Sequence, residues 1–78
     1  MRLIEEVDMN RFLIVIEKTI SNYSAYSPDL PGCVAVGKTK QETERNMHQA
    51  ILFHLEGLRE DRLPIPKSHS LAEYIAVQ

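Results

Sequence analysis

The stretch that most limits what this chain can fold into runs over residues 23–44, YSAYSPDLPGCVAVGKTKQETE. Its first four residues are aromatic and small, which suits a strand. Leu30-Pro31-Gly32-Cys33 then matches a type II turn, because proline presets φ at the second position and glycine supplies a positive φ at the third. Residues 33–36 form a second short strand that Gly37 ends. Thr39 followed by Glu42 is a capping box, in which hydroxyl and carboxylate each satisfy a backbone N–H left over at a helix start. Two strands and a hard helix start in so few residues fix the middle of the fold.

The flanking sequence extends this plan. Phe12-Leu13-Ile14-Val15-Ile16 within residues 11–18 is an unbroken apolar run rich in β-branching, the pattern of a central strand covered on both faces. Ser21-Asn22 turns it back onto residues 23–26, giving an antiparallel pair and, with residues 33–36, a three-stranded meander. The helix is predicted over residues 40–60, with Thr43, Met47, Ala50, Ile51, His54, Leu55 and Leu58 on one face. Leu52 and Phe53 fall outside that face, and Gly57 reads as a point of close approach to a strand. Leu63-Pro64-Ile65-Pro66 must be extended. Residues 70–73 read as a turn of helix and residues 74–77 as a last strand, parallel to the first through a right-handed crossover. The predicted class is α+β, β-β-β-α-β, with sheet order 3-2-1-4 and one main helix on one face. Residues 1–78 read as one domain. Residues 1–10, with Leu3, Ile4 and Val7 apolar, read as a peripheral extension, and Met9 is an alternative translation start.

A single helix covers only one face of such a sheet. Phe12, Ile14 and Ile16 point to one side and Leu13 and Val15 to the other, so one set is left without a cover from this chain. An apolar patch of that kind marks an interface. With 78 residues the core supplies only about 3–5 kcal/mol. A homo-oligomer, a dimer or a tetramer, is therefore expected, with Leu13, Val15, Leu52 and Phe53 at its interface.

Composition excludes several classes. The formal net charge of -2 and pI of about 5.9 argue against a stand-alone nucleic-acid binder and favour a neutral or basic protein partner. Cys33 has no second cysteine to pair with. Neither a signal peptide nor a membrane-spanning apolar run is present, so a cytoplasmic protein is the expectation. His48 and His54 are six apart rather than the four of a helical zinc pair, and no metal or cofactor is expected. Cys33 lacks the orienting acid and oxyanion turn of a nucleophilic site, so no catalytic residue is assigned. Asp29 reads either as a turn-former bonding local N–H groups or as a recognition residue.

The ordered set of residues 12–18, the Tyr26-Ser27-Pro28-Asp29-Leu30-Pro31-Gly32-Cys33 turn, Gly37-Lys38-Thr39 with Glu42, the Ile51-Leu52-Phe53-His54-Leu55-Glu56-Gly57-Leu58 run and the Leu63-Pro64-Ile65-Pro66 connection resembles the HicB family of antitoxins. The resemblance covers nearly the whole chain from Met9 onward. It implies a partial RNase H-like fold, in agreement with the order derived above, and a role in neutralising HicA, a small basic toxin that cleaves RNA. Longer family members add a DNA-binding domain that nothing here resembles, so no direct DNA binding is expected. The RNase H-like fold by itself implies no nuclease. Tyr26, Asp29, Leu30 and Pro31 are the expected toxin-contacting residues. The alternative is an orphan oligomeric module for another protein or a small ligand. A small basic protein in the adjacent reading frame separates the two.

Overall fold

The computed structural model describes residues 11–78, so the expected extension over residues 1–10 lies outside the described residues. Three antiparallel strands, β1 (Val15–Lys18), β2 (Tyr23–Tyr26) and β3 (Val34–Gly37), are followed by one long helix, α1 (Lys40–Glu60). The sheet order is β1-β2-β3. Register places Ile16, Ala25 and Ala35 side by side on one face and Val15, Tyr26 and Val34 on the other. The helix packs on the first face, chiefly over β3 and β2. Ala25, Leu30, Cys33 and Met47 form the buried centre, with Phe12, Ile14, Ile16, Ile51 and Leu55 packed around it.

Each junction has a local cause. The β1–β2 turn is closed by Thr19 N–H donating to Asn22 O at 2.8 Å. Gly32 sits at φ 83° and Cys33 N–H donates to Leu30 O at 3.1 Å, the bond that defines the type II turn. At the helix start Glu42 N–H donates to Thr39 Oγ1 at 3.0 Å, and the Glu42 carboxylate accepts from Lys38 N–H at 2.8 Å. The reciprocal bond thus reaches one residue before the cap rather than the cap itself. At the other end Arg62 N–H donates to Arg59 O and Leu63 N–H to Leu58 O, at 3.0 and 2.9 Å. This is a Schellman closure with Arg62 at φ 58° in the place usually held by glycine.

Four expectations are corrected. The first strand is shorter than residues 11–18, because its partner β2 ends at Tyr26 where the turn containing Pro28 begins. Ser27 Oγ instead donates to Leu13 O at 2.9 Å, satisfying a carbonyl beyond the ladder. The expected strand over residues 74–77 is not formed, nor is a helical turn over residues 70–73; both stretches are irregular, and residues 71–78 are exposed. Order 3-2-1-4 is therefore present only in its first three members. The close approach of helix and strand lies at Gly37, not Gly57. A Cβ on Gly37 would fall 2.6 Å from Thr43 Oγ1 and 2.7 Å from Thr43 N, whereas one on Gly57 would meet nothing within 4 Å.

Two substitutions test these causes by chemical unfolding. Gly37→Ala forces the helix start away from β3 and should cost about 1–3 kcal/mol; a neutral result would contradict the close approach. Arg62→Gly relieves a left-handed residue and should stabilise by about 0.5–1 kcal/mol, and a loss would contradict the Schellman assignment.

Candidate functional site

The sheet face opposite α1 has no cover among the described residues. Val34 and Val36 are 63% and 59% exposed there, beside the exposed ring of Tyr26. Val15 lies across from Tyr26, and Glu17 across from Ser24, so a β-branched and aromatic stripe carries an acidic residue on the same face. Contiguous apolar surface of this kind is where interaction sites are sought. Leu13 and Val15, expected at a self-association interface, are half-buried.

The turn after β2 sets one end of this face. Leu30, expected as a contact residue, is fully buried in the core, while Pro31 beside it is exposed. Asp29 is buried as well, and its partners are not the local N–H groups of a turn-former. Its Oδ2 accepts from His69 N–H at 3.0 Å and Ser70 N–H at 3.1 Å. Its Oδ1 accepts from Ser70 Oγ at 2.7 Å and lies 2.6 Å from His69 Nδ1. Burial of this carboxylate raises its pKa, but the hydrogen bonds from Ser70 and His69 and the charge of the His69 ring more than offset that, holding it below its ordinary value. Asp29 thus ties the C-terminal segment to the turn. In this arrangement Tyr26 and Pro31 are the two expected contact residues open to a partner, and Asp29 and Leu30 shape the turn that carries them. No local sequence signal pairs Asp29 with residues 69 and 70, because the partners are some forty positions away.

The remaining candidates separate onto the helix. Leu52 and Phe53 are both exposed. Leu52 joins Phe12, Ile14, Ile51 and Leu55 in lining a groove of about 380 Å³ beside the start of β1. Phe53 and His54 line a second groove, of about 440 Å³, against Gly32 and Val34. His48 lies exposed at the rim of the first groove, apart from His54. Burial pushes the Cys33 thiol up, away from the reactive thiolate. Among the described residues no group of three His, Cys, Asp or Glu side chains is placed to hold a metal ion, and no helix is long and apolar enough to cross a membrane.

The described residues make a small α+β unit with an anchored turn and an apolar sheet face that none of them covers. The model of the HicB-like antitoxins of bacterial toxin–antitoxin systems matches residues 12–78, and the chain belongs to that family. The family is one of neutralising, non-enzymatic proteins. The chain is 44% identical over 62 residues to an uncharacterised 14.9 kDa protein from the rep–hol intergenic region of Haemophilus phage HP1, covering 80% of this chain and 47% of that one. It is 35% identical over 68 residues to a UPF0150 protein of Thermoplasma acidophilum, covering 86% and 96%. A chain of a solved HicA3–HicB3 toxin–antitoxin complex aligns with a TM-score of 0.58 and 32% identity, over 69% of this chain and 66% of that one. The chain therefore spans about half the length of the phage relative and just under two thirds of the chain from the complex.

The Asp29 anchor has a pH signature. Because its folded pKa is depressed, its contribution is fully present above the unfolded aspartate value and is lost as pH falls through the lower folded value. In an NMR titration the His69 and Ser70 amide protons should move together with a midpoint below that of an ordinary aspartate, and Asp29→Asn should abolish the step. A midpoint at or above the ordinary value would contradict the anchor.

Proposed function

We propose that the chain is the antitoxin of a type II toxin–antitoxin pair, binding and neutralising a HicA-like, RNA-cleaving toxin in the cytoplasm. The observation that carries this reading is the open sheet face, with Val34 and Val36 exposed beside Tyr26. Burying one such side chain is worth about 1.5–3 kcal/mol, so a few of them suffice as the centre of an interface. Glu17 on the same face and the net charge of -2 suit a small basic partner. Tyr26 and Pro31 contact the toxin at the turn, and Asp29 and Leu30 hold that turn in shape.

The family and the fold support the same reading. A meander with one helix on one face is the frame of a partial RNase H-like fold, with the position beside β1 open for a fourth strand. The chain is also proposed to be a homo-oligomer. Leu13 and Val15 lie toward the β1 side of the sheet, and Leu52 and Phe53 on the helix are further apolar positions for self-association.

Co-expression with a HicA-like toxin tests the proposal. Growth should be rescued and the two proteins should co-purify; failure of both would overturn the antitoxin reading in favour of an orphan interaction module. Val34→Asp with Val36→Asp should leave the fold intact and weaken binding at least tenfold, on the order of 1.4 kcal/mol or more. Undiminished binding would move the toxin to another surface.

A further inference from the structure

We infer that residues 71–77 form the missing fourth strand in trans, each chain lending this arm to the β1 edge and helix groove of a second copy. Three features of the molecule point there. The anchor on Asp29 fixes residues 69 and 70 against the body, Leu71 and Ala72 still line a pocket with residues 11–14 of their own chain, and none of residues 73–77 belongs to the core. Tyr74, Ile75 and Val77 are 105%, 83% and 86% exposed, and residues 71–78 are in no strand. An apolar segment left in solvent by its own chain is suited to pairing with another.

The receptor is present in the same molecule. β1 is an edge of the sheet, with β2 on one side and no strand on the other among the described residues. Such an edge offers unpaired N–H and C=O groups to an added strand. Next to it lies the groove of about 380 Å³ between the start of β1 and α1, walled by Phe12, Ile14, Met47, Ile51, Leu52 and Leu55. No described residue of the same chain fills it. Its existence follows from the helix sitting over β3 and β2 rather than over β1.

Arm and groove match in apolar pattern. In an extended strand Leu71, Glu73, Ile75 and Val77 share one face and Ala72, Tyr74 and Ala76 the other. The first set places three aliphatic side chains toward the groove and its acid at a rim that carries Arg59 and His48 as well as Glu44. The second set puts Tyr74 on the outer face, alongside Val15. At about 3.3 Å per residue the arm extends ~20 Å, enough to cross from its anchor to a neighbouring body. Two copies exchanging arms about a two-fold axis close both edges at once.

The inference concerns self-association alone and stands apart from toxin binding, which is read separately by rescue and co-purification. Light scattering at micromolar concentration should give wild-type protein the mass of two 9.0 kDa chains. Ile75→Glu with Val77→Glu alters residues exposed in the single chain, so this arm variant should keep its circular dichroism and fall to the mass of one chain. Leu52→Glu, in the groove, should do the same. Mixing the two variants should restore the two-chain mass, because one intact arm then meets one intact groove. The inference is overturned by a wild-type protein of single-chain mass, by an arm variant that keeps the wild-type mass, or by a mixture that stays monomeric. Should the groove variant fail to fold, hydrogen exchange on wild-type protein decides instead: the amides of residues 73–77 should gain protection with protein concentration, and concentration-independent exchange overturns the inference.

Discussion

One helix has to cover a sheet that is apolar on both sides, and the way it is pinned determines what is left open. Gly37 lets the backbone of β3 approach Thr43 with no room for a Cβ, and Thr43 Oγ1 donates to Thr39 O at 2.8 Å in the same corner. Asn46 Nδ2 adds a bond to Val36 O at 2.8 Å. These contacts fasten the first turns of α1 to the β3 side of the sheet. Met47, one turn further, is then fully buried over Ala25 and Leu30. Among the described residues the opposite sheet face is left uncovered at Val34 and Val36, and the β1 side of the covered face is only partly roofed.

The two open regions are suited to different work. The outer face is broad and flat, with exposed valines, an aromatic ring and an acidic neighbour, which fits a folded basic partner. The region beside β1 is an edge and a groove, which fits an extended strand. Asp29 links them: its buried carboxylate holds residues 69 and 70 against the turn, so the same loop that presents Tyr26 and Pro31 also aims the C-terminal arm. A residue that reads either as a turn-former or as a recognition group therefore acts as an internal tether.

Much of the local structure was legible because its causes are local. Pro31-Gly32 forces the type II turn, Thr39 and Glu42 start the helix, and the spacing of Thr43, Met47, Ile51 and Leu55 gives the covered face without tertiary information. The readings that failed depend on distant partners. Leu30 follows the same turn, but its burial depends on where the helix lands. Gly57 looked like the point of close approach because a glycine inside a helix usually has a packing reason, whereas the contact is made by the strand glycine. Arg62 gives no sign of a left-handed cap, since the expected glycine is absent. The last strand is predicted from its β-branched and aromatic residues, and that propensity needs a pairing edge; among the described residues no strand pairs with it.

The central proposal is that the outer sheet face, not the helix or a catalytic pocket, is where this HicB-like chain binds a HicA-like toxin. Titrating a HicA-like toxin into methyl-labelled chain measures this directly. The methyl resonances of Val15, Val34 and Val36 should shift first and most, while those of the buried Met47 and Leu30 stay in place. Shifts centred on Leu52, Leu58 or Leu63, with the three valines unmoved, would contradict it.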